Sequence, residues 1–338
     1  MSKRRSPKIQ DVASLAGVSI TTVSRVVNEN GYPVRPDTRL RVQEAVRTLG
    51  FRPSPLARGL LGKSTQTIGL VIPDISNPYY PLLSRGVEDV ANEHGFTVIF
   101  CNTDRSTSKT RHYIELLSEK QVDGVIFAGG GLEEGEEALP GMEGRAVLIG
   151  RHSWPFPSVQ VDNVGAAREA TLHLIDLGHR RIGFIAGPSN LTSARDRLKG
   201  HLAAMETVDG DSFGGALVLD GNFRSEDGYR AATELLGRPA APTAIFAAND
   251  RMAIAAMAAA FDLGLKVPDD LAVVGFDDTP TARYVRPALT TVALPSYEMG
   301  AEAARLLLKL LPGETVEGTT WLATKLVVRQ SSGIRQAR

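Results

Sequence analysis

The sequence contains a single cysteine, Cys101, which excludes an internal disulfide framework and a cysteine-rich metal site. Aromatic residues make up only 6% of the chain, there is no unbroken apolar span of membrane length, and Lys3, Arg4 and Arg5 are not followed by the apolar stretch of a secretory signal. The expectation is a cytoplasmic protein without a membrane segment, with Cys101 buried in the strand-like run FTVIFCN in a reducing compartment. The G-x-G-x-x-G and G-x-x-x-x-G-K spacings that cradle phosphates are missing despite the run Gly129, Gly130, Gly131, as are His and Glu at metal-ligand spacing. An enzyme, a bound cofactor and a metal are therefore not expected. Net charge is also absent, because 38 Lys plus Arg balance 38 Asp plus Glu.

That balance conceals an asymmetry. Residues 1–63 hold 12 Lys or Arg against 4 Asp or Glu, and the remaining 275 residues hold 26 against 34. A basic head on an acidic body is the electrostatic footprint of a nucleic-acid-binding module, because cations that neutralise phosphates release condensed counterions. A solvated basic tail has the same composition.

From residue 67 onward, apolar runs rich in β-branched residues alternate with stretches of helical period. The runs are TIGLVIPD, FTVIFCN, VDGVIFAG, AVLIG, RIGFIAG, ALVLDG, TAIFAAND and LAVVGFDD, and the helical stretches include 80–94, 108–120, 164–177, 194–206, 225–236, 250–263 and 297–311. Regular alternation of this kind predicts parallel sheets covered by helices on both faces. Two sets of about four strand-helix units exceed what one doubly wound sheet usually holds, so two similar α/β lobes are expected, with ligand in the crevice at the strand C-termini. The same architecture serves enzymes, uptake receptors and sensors.

The first sixty or so residues contain no strand-like run, but three helical patterns. Ile9, Val12, Ala13 and Ala16 share one face of the first, which stops at Gly17. Ser19 caps the second, whose Val23, Val26 and Val27 point inward. Pro36 starts the third, with Val42, Ala45, Val46 and Leu49 inward and Gly50 at its end. Two helices joined by a tight glycine-containing turn and closed by a third form the helix-turn-helix pattern. The second helix then presents Ile20, Thr21, Ser24 and Arg25, where Arg25 can pair with a guanine and Ile20 and Thr21 can discriminate neighbouring bases. A protein-binding three-helix module with an incidental surface arginine shows the same pattern.

The stretch IQDVASLAGVSITTVSRVVN resembles the N-terminal signature of LacI-type (LacI/GalR) repressors, and the resemblance continues through FRPSPLARGL, LIDLGHRRIGFIAG, SARDRLKG, AAND, VVGFDD, LTTV and LVVRQSSG. It implies a helix-turn-helix DNA-binding domain at 1–52, a hinge at 53–63 and an effector-binding and dimerisation domain at 64–338. The last is expected to be a two-lobed, periplasmic-binding-protein-like pair of doubly wound sheets, with an N-lobe of about 64–161 and 291–320 and a C-lobe of about 162–290 and 321–338. The function implied is transcriptional repression by a homodimer on a palindromic operator, controlled by a small polar effector: a sugar, sugar acid or sugar phosphate. No apolar heptad follows LVVRQSSG, so a dimer is expected rather than a coiled-coil tetramer.

By resemblance, DNA is contacted by Ser19, Ile20, Thr21, Thr22, Ser24, Arg25 and Asn28 in the head, and by Ser54, Leu56, Ala57 and Leu60 in the hinge. Leu60 takes the position of a minor-groove wedge, while Ser54 stands where the family usually has Asn. A hinge helix this short, weakened by Gly59, is marginal alone, so folding conditional on DNA is expected. The effector residues implied are Arg197, Phe223, Asn249, Asp250 and Asp277, with Tyr79 and Tyr80 approaching from the other lobe. Arg151, after Gly150 where sugar-binding relatives often have Asp, points toward an anionic ligand. A solute-binding receptor for uptake is the nearest rival, and the basic three-helix head argues against it.

Overall fold

The computed structural model describes residues 7–27, 33–51, 64–129, 142, 144–152, 154–208 and 217–333. The chain divides into two compact units, Met1–Thr65 and Gln66–Arg338.

In the first unit, α1 (Ile9–Ala16), α2 (Ile20–Val27) and α3 (Pro36–Leu49) close around Val12, Ala13, Ala16, Val23, Val26, Val42 and Ala45. α1 ends because Gly17 adopts φ +64°, a left-handed conformation that lets the Val18 N–H donate to the Ala13 carbonyl. Ser19 Oγ accepts from the Thr22 N–H at 3.1 Å and so starts α2 two residues after that turn. Pro36 opens α3, where its missing N–H costs nothing.

The second unit runs β1 (Thr67–Ile72), α4 (Tyr79–Glu93), β2 (Thr97–Asn102), α5 (Thr107–Glu119), β3 (Gly124–Ala128), β4 (Ala146–Ile149) and β5 (Ser158–Val161). It continues through α6 (Asn163–Asp176), β6 (Ile182–Ala186), α7 (Thr192–Met205), β7 (Val218–Asp220), α8 (Ser225–Leu236), β8 (Ala244–Ala247), α9 (Asp250–Asp262) and β9 (Ala272–Asp277). β10 (Thr290–Ala293), α10 (Ser296–Leu310), β11 (Thr319–Leu322) and β12 (Lys325–Val327) complete it. One six-stranded sheet has the order β11-β5-β4-β3-β1-β2 and the other β12-β10-β9-β8-β6-β7. All pairings are parallel except that of β10 with β12.

β3, β4, β6, β8 and β9 are buried at every residue, as runs apolar on both faces require. Phe184, Phe246 and Phe276 lie fully buried in the second lobe, each stabilising it by about 1.5–3 kcal/mol. The chain passes between lobes after β5, after β10 and after β11, so β10 belongs to the second sheet through Ala293 and β11 to the first through Leu322. The lobe limits set from sequence at 291 and 321 fall inside β10 and β11. Their short, polar sequences, TTVA and TTWL, give no apolar run to mark them.

Helix pairs meet through glycine. A Cβ on Gly86 in α4 would collide with the Tyr297 carbonyl oxygen of α10, and one on Gly300 in α10 with the Leu83 carbonyl oxygen of α4. Among the described residues, no helix is long and apolar enough to cross a membrane.

Candidate functional site

In the three-helix unit, Ser19, Ile20, Thr21 and Arg25 are exposed along the start and outer face of α2, while Thr22 and Ser24 are half-buried. Val23 and Val26 occupy the opposite face, in the core. A helix anchored by its valines with Ile20 45% exposed presents an apolar side chain, hydroxyls and a guanidinium together, the set that reads base edges in a major groove. Asn28 and the hinge residues Ser54, Leu56, Ala57 and Leu60 lie outside the described residues.

In the second unit, the C-terminal ends of both sheets face one cleft of about 640 Å³ including its mouth, lined by Tyr79, Tyr80, Arg197, Phe223, Asn249 and Asp277 among others. Arg197, from the second turn of α7, is 7% exposed. Its Nε donates to Asn163 Oδ1 at 3.0 Å and its Nη1 to the Ala248 carbonyl at 2.6 Å, and Nη1 lies 3.3 Å from Asp277 Oδ1. The guanidinium stacks 3.8 Å from the Phe276 ring centroid and 5.7 Å from that of Phe223. Its Nη2 has no hydrogen bond among the described residues, and a rigid donor fork fixed at two corners offers the third to a ligand.

Three backbone positions here are strained: Asn222 and Phe223 adopt φ +51° and +57°, and Asp277 adopts φ +118°. Such conformations persist only where the surroundings impose them, and they concentrate at ligand sites. Gly187, after β6, has no Cβ where one would strike the Phe223 ring, so Phe223 settles over that backbone. Asn249 caps α9 by accepting from the Met252 N–H at 2.9 Å, and its Nδ2 reaches the Phe223 carbonyl at 3.4 Å. Tyr79 and Tyr80 pack edge to face at 4.9 Å, and the Tyr79 hydroxyl touches Met299 Sδ at 3.6 Å. Burial raises the pKa of both tyrosine hydroxyls, so they act as neutral hydrogen-bonding groups.

Two expected effector residues are placed otherwise. Asp250 is buried outside the cleft lining, where its carboxylate accepts from the Thr279 N–H at 2.7 Å, the Thr279 hydroxyl at 3.0 Å and the Thr291 hydroxyl at 2.5 Å. It ties the turn after β9 to β10, a structural task. Burial, and then the neighbouring Asp277 charge, raise its pKa, and burial raises that of Asp277 against the opposing pull of Arg197. Arg151 pairs with Asp196 of the other lobe, Nη2 to Oδ1 at 2.7 Å and Nε to Oδ2 at 3.1 Å, and does not line the cleft. Residues not foreseen from sequence take part: Asn163 holds Arg197, and Arg105, after β2, lines the cleft with its guanidinium 5.9 Å from the Phe223 centroid. Neither belongs to a local motif.

GDSFG at 210–214 has the spacing of a nucleophile elbow, but it lies between α7 and β7, a helix-to-strand connection outside the described residues. The elbow requires a strand-to-helix turn.

A helix-turn-helix unit joined in one chain to a two-lobed α/β unit with a polar, aromatic-floored cleft defines the class of ligand-responsive DNA-binding regulators. Residues 8–54 match the family described as bacterial regulatory proteins, lacI family, and residues 171–332 match the periplasmic binding protein-like domain. The chain is 40% identical over 329 residues to catabolite control protein A of Priestia megaterium, covering 96% of this chain and 98% of that protein. Among solved structures it is similar to the lac repressor dimer bound to operator and the anti-inducer ONPF, at 29% identity and TM-score 0.87, covering 98% of this chain and 100% of that one. It is also similar to a complex of the transcriptional regulator CelR with cellobiose, at 35% identity and TM-score 0.71, covering 96% and 99%. The chain belongs to the lacI family of bacterial regulatory proteins.

Proposed function

We propose that this chain is a cytoplasmic transcriptional repressor, without catalytic activity, that binds a palindromic operator as a homodimer and is controlled by a small polar effector, a sugar or sugar derivative. The observation that carries the reading is Arg197. It is buried, fixed at two corners and set beside the Phe223 ring at the C-terminal ends of the strands, in the same chain as an exposed recognition-type helix. An aromatic face with convergent amide, carboxylate and guanidinium groups suits a ring bearing hydroxyls. The lacI-family relatives support it, since the similar structures are complexes with operator and with cellobiose.

In this reading the effector bridges Arg197, Asn249 and Asp277 of one lobe and Tyr79 and Tyr80 of the other. It favours one lobe arrangement and thereby changes the spacing of two paired hinges on DNA. Leu60 and its neighbours Ser54, Leu56 and Ala57 would contact the operator centre. The test is selection of bound sequences from random duplex DNA by the purified full chain, repeated with a panel of sugars, sugar acids and sugar phosphates. Enrichment of one palindrome that responds to one compound is expected, and enrichment of no sequence under any condition would overturn the reading.

A further inference from the structure

The cleft is lined by two guanidinium groups and one carboxylate among its described residues, Arg105, Arg197 and Asp277. Arg197 and Asp277 neutralise each other at 3.3 Å. Among the described residues, Arg105 has only a shared counter-ion. Its Nη2 lies 3.6 Å from Asp74 Oδ2, and the same oxygen accepts from Arg251 Nη1, of the other lobe, at 3.2 Å. Arg224 is near enough to repel the Arg105 charge as well. One carboxylate therefore serves two part-buried guanidiniums, of which Arg105 lines the cleft, with a third close by.

The three partners are not loosely placed. The side chains of Arg105, Asp74 and Arg251 are 15%, 20% and 20% exposed, where a half-desolvated cation without full compensation is costly. Arg105 Nη1 donates to the Asn222 carbonyl at 2.7 Å, which holds the guanidinium over the Phe223 ring, 5.9 Å from its centroid. Asp74 itself is kept ionised: burial pushes its carboxyl up, and the Ser76 hydroxyl and N–H with Arg251 and Arg105 more than reverse that.

We infer that the effector carries an anionic group, a phosphate or a carboxylate, which docks on Arg105 in the cleft while the rest of the ligand lies over Phe223. This rests on the cleft being the effector site. The anion supplies the counter-charge that Asp74 divides between two lobes, and Arg105 is its specificity-determining residue. An arginine fork is matched to both oxyanions, so the two sources of the charge are separated by experiment.

Thermal unfolding of the full chain is followed in inorganic phosphate and in chloride at matched ionic strength, with isothermal titration of glucose, gluconate and glucose 6-phosphate. Phosphate is expected to raise the midpoint saturably in the wild type and not in Arg105→Gln. Asp74→Asn, which removes the competing carboxylate, is expected to tighten phosphate binding by roughly fivefold or more, a gain that mere structural damage does not produce. Gluconate or glucose 6-phosphate should then exceed glucose in affinity, and whichever leads identifies the anion. A shift equal in phosphate and chloride, or one unchanged in Arg105→Gln, overturns the inference. Glucose binding that needs Arg197 but not Arg105 overturns it too and leaves the effector cleft standing. A cleft that binds neither phosphate nor any of the three compounds, with the operator still bound, counts against both.

Discussion

At the scale of single residues, the cleft depends on charges that balance inside the protein. Removing Arg197 leaves Asp277 buried and unpaired, so Arg197→Ala should lower unfolding stability by about 3 kcal/mol. Asp277→Asn in the same chain should restore part of that loss. Urea unfolding of the two variants checks this, and a double variant no more stable than Arg197→Ala alone would remove the ion pair from the account. His201 gives a pH prediction. It is buried against Phe184 at 4.8 Å, and burial pushes its pKa down to about 3. A depressed histidine contributes stability that is present above its unfolded value near 6.5 and is lost as pH falls from there toward 3. The stability of the wild type should therefore decline faster below pH 6.5 than that of His201→Gln, by up to about 1.4 kcal/mol per pH unit. Equal slopes in denaturant midpoints measured across pH 4–7 would exclude this role. Arg197, Asn249 and Asp277 could be assigned to the cleft from sequence because each lies in a local motif, SARDRLKG, AAND and VVGFDD. Arg105 and Asn163 could not, although they follow β2 and β5, because no motif marks Arg105 in its turn and β5 carries no long apolar run to announce a strand end. Nor could sequence show that Arg151 pairs with Asp196, 45 residues away.

At the scale of elements, the parallel strands and their helices were readable because burial on both faces leaves continuous apolar runs, as in β3, β6 and β9. β5, β10, β11 and β12 were not. SVQV, TTVA, TTWL and KLV are three or four residues long, carry polar residues, and take their strand character from neighbours already in the sheet. The helix crossings were equally hidden, since a glycine within a helical pattern reads as a weakness until its neighbour is known. Gly300→Ala forces α10 away from the Leu83 carbonyl and should cost about 1–3 kcal/mol by overpacking. Gly264→Ala, at φ +76° with nothing within 4 Å, meets only backbone strain of about 1 kcal/mol. Calorimetric midpoints should rank Gly300→Ala below Gly264→Ala, and the reverse order would show that the α4–α10 contact yields. In the head, Ser19→Ala removes the α2 cap and should lower helical stability by about 1 kcal/mol, read from the circular dichroism melt of the full chain.

At the scale of the whole molecule, the charge division between a basic head and an acidic body predicts DNA binding that weakens steeply with salt, by a logarithmic slope of about −0.9 per phosphate neutralised. Within that binding, Arg25→Ala should relax preference at one base pair for about 1–3 kcal/mol, measured by competition among single-base operator variants. Uniform weakening on all of them would make Arg25 a phosphate contact. The central claim, however, is that cleft and operator are thermodynamically linked. The most direct measurement is a closed cycle: operator affinity with and without saturating effector, and effector affinity with and without saturating operator, on the same full-length protein. Linkage predicts the same factor along both routes, between about 5 and 150, and its loss in Arg197→Lys. An effector that saturates the cleft while leaving operator affinity unchanged would contradict the account.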